Sequence, residues 1–227
     1  MYKNSIGIIG GMWSYATLDF FRRVLNAFPA EKEWDRPRII IDNRCTMPSR
    51  VRAILYQENV SELIADLSES IERICTNEKD IYVILACNTC HYFLPYLKNR
   101  FPDVKFVDII ESLAMDLTDR NVSKFYLLAS EGTIKSQIYK KYFDKYGITI
   151  ECPDDFEHVR YFIECVKQHK VTKENKILFQ NYINSLQEDN IVLGCTELPV
   201  LTKDIQYTKT LFDPLKSTIL WLKNYME

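Results

Sequence analysis

The sequence predicts an α/β fold built from two related halves, and three observations support this. Apolar, strand-like runs alternate with helix-like segments along all 227 residues, the pattern of parallel sheets flanked by helices. Several of these runs are continuously apolar, as in strands that are covered on both faces. Two stretches, I-L-A-C-N-T at 84–89 and V-L-G-C-T at 192–196, nearly repeat each other about half the chain apart.

In the first half, the clearest element is a helix over residues 58–76. Its apolar residues recur at i, i+3, i+4 and i+7, which places them on one face of a helix. Residues 81–86 are all apolar and predict a strand buried on both faces. The remaining elements expected in this half are a strand at 6–9, a helix at 16–28 and a strand at 38–41.

The second half repeats this alternation. Asp213-Pro214 is a strong helix start, because Asp caps helices and Pro favours the first helical position. We expect that last helix to run to about residue 225. The other elements expected here are strands at 125–129 and 191–193, one helix over 132–146, and helices around 159–166 and 177–186.

Charge and composition narrow the class of protein. The net charge is −2 and no basic block is present, so nothing predicts a nucleic-acid partner. No apolar run is long enough to span a bilayer, and residues 1–5 do not resemble a signal peptide. Seven cysteines, an odd count, argue against a disulfide framework. We therefore expect a cytoplasmic protein with no nucleic-acid and no membrane partner.

Four segments are expected at the carboxyl ends of parallel strands, where α/β folds bind ligands. They are residues 10–12, 87–89, 129–130 and 195–197. Each precedes a predicted helix, whose free N–H groups favour carboxylates and whose field is expected to lower the pKa of a nearby thiol. Two thiols, Cys87 and Cys195, would then face a shared site. Opposed thiols suit the removal of a proton from one face of a carbon and its return to the other.

Other kinds of site stay open on the residues alone. Gly7-x-x-Gly10-Gly11 resembles a nucleotide-binding turn but lacks the full G-x-G-x-x-G spacing. Residues 87–91 fit C-x-x-C-H, the form of covalent haem attachment, and the C-x-x-C of a thioredoxin-type dithiol. Neither haem attachment nor a dithiol accounts for Cys195, whose sequence context matches that of Cys87. Zinc would need two further ligands at useful spacing.

Four motifs, in order along nearly the whole chain, indicate a family. They are Gly10-Gly11-Met12 with Ala16-Thr17, Cys87-Asn88-Thr89 with His91, residues 127–133, and Gly194-Cys195-Thr196-Glu197. Together they resemble the aspartate/glutamate racemase family, specifically its cofactor-independent aspartate racemase branch. Glutamate racemases usually carry His where Glu197 stands, so this residue favours the aspartate branch.

The resemblance implies two similar lobes, each a mainly parallel sheet flanked by helices, with the active-site cleft between them. We expect residues 1–110 with 212–227 to form the N-terminal lobe and 111–211 the C-terminal lobe. The implied reaction is interconversion of L- and D-aspartate without pyridoxal phosphate, any other cofactor or a metal. Glutamate, broader amino-acid specificity or a related dicarboxylate isomerisation are the alternatives. The implied partners are an amino acid with a side-chain carboxylate and a second copy in a homodimer.

The resemblance also implies roles for individual residues. Cys87 and Cys195 would be the catalytic pair. The substrate-binding residues would be Met12, Arg50, Asn88, Thr89, Ser130, Lys167, Thr196 and Glu197. The chain departs from the family pattern at Trp13-Ser14 (commonly Gly-Pro), at Ser49 (usually Asp) and at Cys90 (usually Ala). These departures bear on substrate preference more than on the reaction type.

Overall fold

Two four-stranded parallel sheets form the frame of the molecule, which the computed structural model describes from residue 2 to residue 226. The first sheet has the order β2-β1-β3-β4, with β1 (Ser5–Gly10), β2 (Ile39–Asn43), β3 (Ile81–Leu85) and β4 (Lys105–Val107). The second has the order β6-β5-β7-β8, with β5 (Lys124–Leu128), β6 (Thr149–Glu151), β7 (Asn190–Leu193) and β8 (Thr210–Phe212). The two orders are equivalent, so β3 corresponds to β7. The predicted fold of two similar α/β lobes is confirmed.

Helices flank both sheets. They are α1 (Ser14–Ala27), α2 (Arg50–Tyr56), α3 (Val60–Cys75), α4 (Leu94–Arg100), α5 (Ile109–Asp119), α6 (Glu131–Lys135), α7 (Ile138–Phe143), α8 (Glu157–Lys167), α9 (Lys173–Ser185), α10 (Leu198–Leu201) and α11 (Pro214–Tyr225). A short 3₁₀ helix, Thr89–Tyr92, follows β3. Within residues 2–226, none of the helices has the length and apolar character needed to cross a membrane.

The strand β3 shows why its sequence is continuously apolar. Val83 and Leu85 pack on one face against the helix α3, in a core that belongs to the first lobe. Ile84 and Ala86 point to the opposite face, into a cluster that also contains Leu127 of the second lobe. Successive side chains of a strand alternate between faces, so both faces of β3 are buried. One apolar cluster therefore joins the two lobes.

The prediction of one continuous helix over residues 132–146 is wrong. The structure has two helices there, α6 and α7, separated at Gln137, whose φ of 53° is left-handed. A residue in that conformation ends the helical hydrogen-bond series. After this break, Tyr139 and Phe143 of α7 lie buried in the core that joins the lobes.

The C-terminal helix α11 returns to the helices α1 and α5. As predicted, Asp213 caps it, accepting from the N–H of Leu215 at 3.0 Å. Asp213 also forms an ion pair with Arg23 of α1. The C-terminal helix thus contacts α1 of the predicted first lobe and also α5, most of which the predicted division assigns to the second lobe. The division into 1–110 with 212–227 and 111–211 stays a prediction, and its residues 1 and 227 lie outside the described range.

Candidate active site

A cavity of about 80 Å³ lies between the carboxyl ends of the two sheets. The segments that follow β1, β3, β5 and β7 all reach it, as the sequence predicts for the ends of parallel strands. The structure brings together the ten predicted site residues around this cavity: Met12, Arg50, Cys87, Asn88, Thr89, Ser130, Lys167, Cys195, Thr196 and Glu197. Ser49 and Ile163, which the sequence did not assign to the site, also line it.

The loop after β1 is tightly constrained. Gly11 has a φ of 84°, and a Cβ there would lie 2.2 Å from the backbone carbon of Arg44. Only glycine fits such a position. The N–H of Gly11 donates to Thr17 Oγ1 at 3.2 Å, and Arg50 Nη2 donates to the carbonyl of Met12 at 2.9 Å. These bonds hold Met12 and Arg50 together at one wall of the cavity.

His91 fixes the backbone of the loop that carries Cys87. Its Nε2 faces the N–H of Ile109 at 3.2 Å and must accept that proton, so Nδ1 carries the ring hydrogen. Nδ1 then donates to the carbonyl of Cys87 at 2.9 Å. The ring is fully buried, and burial lowers the pKa of His91, which keeps the imidazole neutral. His91 thus supports the backbone of this loop through hydrogen bonds.

Cys87 is surrounded by groups that favour its thiolate. The hydrogen bond from the Cys90 thiol, the nearby charge of Arg50 and the N–H of Cys90 together lower the pKa of Cys87 to about 6, although burial opposes them. Most of the Cys87 population is therefore ionised near neutral pH. The lowered pKa agrees with the expectation from the sequence, but its largest cause is a neighbouring thiol.

Cys195 has the opposite environment. Its Sγ donates to Glu197 Oε2 at 2.8 Å, and Glu197 is almost fully buried. Burial of the thiol and the adjacent carboxylate raise the pKa of Cys195 well above its ordinary value, whereas the more distant Lys167 opposes them. The expectation that a helix N-terminus lowers the pKa of this thiol too is therefore wrong, because burial and Glu197 outweigh it. At neutral pH Cys195 is a thiol.

The carboxylate of Glu197 is itself held in place. Lys167 Nζ lies 3.8 Å from Glu197 Oε1 and 3.9 Å from Glu164 Oε1. Thr196 Oγ1 donates to Glu197 Oε2 at 3.3 Å. Lys167, at the end of α8, and the loop after β7 therefore form one charged wall of the cavity.

Tyr139 joins the two lobes at the site, and sequence reasoning missed it. Its hydroxyl, carried by α7, donates to Asn88 Oδ1 of the first lobe at 2.6 Å. Gly194 leaves room for this, because a Cβ there would lie 3.3 Å from the Tyr139 hydroxyl and 2.6 Å from a methyl of Leu127. Burial raises the pKa of Tyr139 well above its ordinary value, so the phenol stays a donor. A lone Tyr in a helix gives no sequence signal of such a role.

Three hydroxyl groups form a second bridge between the lobes. Thr89 Oγ1 lies 3.0 Å from Ser130 Oγ and 2.9 Å from Thr133 Oγ1, and the last two are 3.0 Å apart. Ser130 also caps α6 by accepting from the N–H of Thr133 at 3.4 Å. The segments after β3 and β5 are thus fixed relative to each other.

Two buried donors on the cavity lining make no hydrogen bond with any other group of residues 2–226. They are Arg50 Nε and Asn88 Nδ2. The Nη1 atom of Arg50, in contrast, donates to the carbonyl of Pro48 at 2.8 Å. A buried unpaired donor is costly unless a ligand completes it. Together with the thiolate–thiol pair, this arrangement can hold a carboxylate and move a proton at an adjacent carbon.

Comparisons with known proteins show the family of the chain. Residues 9–220 match the sequence model of the family described as Asp/Glu/Hydantoin racemase. A glutamate racemase of Carboxydothermus hydrogenoformans is 30% identical over 157 residues, which are 66% of this chain and 57% of that protein. The chain thus spans about half the length of the curated relatives that it matches.

Solved structures extend the likeness to nearly the whole chain. The aspartate racemase of Picrophilus torridus is 26% identical, with a TM-score of 0.81, and the match covers 97% of this chain and 93% of that one. An aspartate racemase homologue from Pyrococcus horikoshii OT3 is 23% identical, with a TM-score of 0.74 and 97% of each chain covered. The second likeness concerns the fold alone.

Proposed function

The chain belongs to the Asp/Glu/hydantoin racemase family, and from this premise we propose that it interconverts L- and D-aspartate without pyridoxal phosphate. The observation that carries the proposal is that the two thiols lining one cavity differ in their protonation state. Cys87 has a pKa of about 6 and is mostly a thiolate at neutral pH, whereas Cys195 remains a thiol. A base and an acid are therefore ready together, at equivalent ends of two strands.

In the proposed reaction the Cys87 thiolate removes the Cα proton from one face of the substrate. The Cys195 thiol then gives its own proton to the opposite face, and the mirror-image amino acid is released. The pair afterwards holds its single proton on Cys87 instead of Cys195, so the reverse reaction uses the same two groups with exchanged roles. Such coupled thiols titrate as a pair.

The Cα proton is a very weak acid, so the site must stabilise the negative charge that develops on the α-carboxylate. The amide of Asn88 and the N–H groups near Thr89 and Thr196 are assigned this role. Arg50 and Lys167 are assigned to the side-chain carboxylate, and Met12, Ser130 and Glu197 complete the pocket. The unpaired Arg50 Nε and Asn88 Nδ2 support an anionic ligand.

We propose aspartate ahead of glutamate because Glu197 stands where glutamate racemases usually carry His. The similarity to a Picrophilus torridus aspartate racemase over nearly the full chain supports the same choice. Glutamate is the second candidate, because the curated relatives at about 30% identity are glutamate racemases.

The test is a chiral assay in D₂O. The purified protein is incubated with L-aspartate, L-glutamate, other L-amino acids, a hydantoin and an unaminated dicarboxylate such as maleate. We expect D-aspartate to form fastest and to carry deuterium at Cα. Faster turnover of glutamate would reassign the substrate, turnover of maleate alone would make the protein an isomerase of dicarboxylates, and racemised product that kept its hydrogen would exclude two-base exchange.

The homodimer and the cytoplasmic location remain separate proposals. Light scattering of the purified protein measures the mass of the assembly, and cell fractionation locates the protein. A monomer in solution would contradict the first, and recovery outside the cytoplasmic fraction would contradict the second.

A further inference from the structure

A second cavity, of about 220 Å³, lies beside the active-site cavity, and we call it the outer chamber. The two cavities share part of their walls. The shared residues are Ser49 and Val51 from the first lobe and Ser130, Ile163 and Lys167 from the second. Because these side chains line both spaces, they form a partition between the active-site cavity and the outer chamber.

Ile163 is a buried apolar member of this partition. It precedes Lys167 by four residues in α8, so the two side chains lie one turn apart on the same face of the helix. Ile163 is only 5% exposed and packs into the core of the second lobe. A β-branched side chain in a helix has essentially one favoured rotamer. Ile163 therefore cannot swing aside without disturbing that core.

The partition lies where the side chain of the substrate is proposed to end. Arg50 and Lys167 are assigned to the side-chain carboxylate, and Arg50 directly follows Ser49 of the partition. A carboxylate held between these two cations therefore faces Ile163. One more methylene would move it about 1.5 Å further, the length of one carbon–carbon bond. That shift would press the charged group against an apolar wall, which costs it hydration.

We propose that Ile163 is a specificity-determining residue, which sets the longest side chain that the site accepts. The substrate class is then amino acids with a short side-chain carboxylate, with aspartate first and its longer homologues excluded by the partition. The role in substrate choice rests on the proposed racemase function. The limit that Ile163 places on the length of a bound dicarboxylate does not.

The outer chamber shows what a lower partition would open. Arg160, Glu164 and Lys167 line it from the same face of α8 as Ile163, because they are spaced at three, four and seven residues. Arg160 lies about 10 Å along the helix from Lys167 and donates from Nη2 to Glu131 Oε2 at 2.9 Å. A guanidinium has five N–H donors, so this bond leaves others for a ligand. The chamber can therefore hold the distal carboxylate of a longer substrate.

The test trims the partition in two steps. Ile163→Val removes one methyl group, and Ile163→Ala removes most of the side chain. Val159→Ala is the matched control, because Val159 lies one turn earlier in α8, is buried in the same core and lines neither cavity. The measured quantity is kcat/KM for racemisation of L-glutamate and of L-2-aminoadipate, each divided by the value for L-aspartate.

In wild type we expect a glutamate-to-aspartate ratio of about one tenth or lower, since one methylene changes specificity by about 10–200-fold. The ratio should rise at least about tenfold in Ile163→Ala, which should also accept 2-aminoadipate, and about threefold in Ile163→Val. Val159→Ala should keep the wild-type ratio even where its melting temperature falls. Where Ile163→Ala is too unstable to assay, Ile163→Val decides.

Three outcomes would overturn the proposal. They are equal turnover of aspartate and glutamate by wild type, a ratio that stays unchanged when Ile163 is trimmed, and an equal rise of the ratio in Val159→Ala. Each would show that some other part of the site sets the length of the substrate.

Binding of dicarboxylates that cannot be racemised gives a readout independent of turnover. Succinate, glutarate and adipate are titrated by calorimetry, and wild-type affinity should fall in that order. In Ile163→Ala the ratio of adipate to succinate affinity should rise about tenfold. This rise in a protein that racemises no amino acid would leave the role of Ile163 standing while the proposed function fails. Racemisation of aspartate with an unchanged length preference would do the reverse.

Discussion

Cys87 and Cys195 occupy the same place in two equivalent sheets, yet their neighbours give them opposite properties. Each follows the third strand of its lobe, β3 or β7. Cys87 has the thiol of Cys90 and the charge of Arg50 beside it, and its pKa falls to about 6. Cys195 has a carboxylate two residues further on, and its pKa rises. The repeated fold brings the two thiols to one cavity, and neighbouring side chains decide which of them is ionised near neutral pH.

The strongest test of this comparison removes each thiol in turn. Cys87→Ser and Cys195→Ser should each lower racemisation by about 10³-fold or more, since a positioned acid or base contributes 10²–10⁴-fold and a serine hydroxyl barely ionises. Chiral chromatography of L- and D-aspartate measures the loss. Cys75→Ser is the matched control and should keep full activity. Substantial turnover by either active-site variant would end the two-thiol mechanism.

A second test removes the negative charge beside Cys195. Glu197→Gln removes the carboxylate that raises the pKa of Cys195, so the alkaline limb of kcat/KM should move to lower pH by about one to two units. Glu164→Gln is the control, because Glu164 also lies near Lys167 but does not contact Cys195. An alkaline limb that stays in place in Glu197→Gln would show that the carboxylate does not set the state of Cys195.

The pH profile of wild-type activity reports the pKa values of both thiols in one experiment. The active pair carries one proton: below pH 6 Cys87 is protonated and cannot act as base, and well above pH 9 Cys195 loses its proton and cannot act as acid. The profile of kcat/KM should therefore be bell-shaped, with about a tenfold fall between pH 7 and pH 5. Two like thiols with ordinary values would instead give an acid limb near pH 8 to 9.

The smallest effect is expected from removing the hydrogen bond that Tyr139 of the second lobe donates to Asn88 of the first. Tyr139→Phe leaves the buried Oδ1 of Asn88 without its donor, which should lower the free energy of unfolding by about 1–3 kcal/mol. Because Asn88 adjoins Cys87, kcat should also fall several-fold. Denaturant melts and initial rates measure the two quantities.

Tyr142→Phe is the control for this change. The Tyr142 hydroxyl donates to Asp108 at 2.5 Å, away from the cavity. The Tyr142→Phe variant should lose stability without a matching loss of kcat. Equal kinetic losses in the two variants would mean that the Tyr139 bond has no special effect on the Cys87 side of the site.

Much of the site could be predicted because parallel strands end at one edge. Cys87 and Cys195 each follow an apolar run that predicts a strand, so each is expected at the carboxyl edge of its own sheet. Their meeting across the two sheets was predicted from the similarity of the two halves and from the family resemblance. Arg50 and Lys167 came instead from family resemblance, since a single Arg or Lys near a loop carries no local signal. The cavity lining places all four together.

What could not be predicted depends on contacts between distant segments. Tyr139, two residues after the helix break at Gln137, donates to Asn88 of the other lobe, a contact between segments 51 residues apart. The raised pKa of Cys195 depends on a 2.8 Å approach by Glu197, which a sequence does not specify. The strands β4, β6 and β8 are three residues each, too short for a periodic pattern to reveal them.

The ion pair between Arg23 and Asp213 has a consequence for how the chain folds. The two residues are 190 positions apart, and the helix that Asp213 begins covers α1 and α5. At 5–20 residues per second, a ribosome needs about 10–40 s to synthesise the intervening chain. During that time α11 cannot cover α1, and the later helix α5 waits for a shorter time. A contact between α1 and α11 can form only after nearly the whole sequence has been made, so the last helix completes a part of the molecule that the first helix begins.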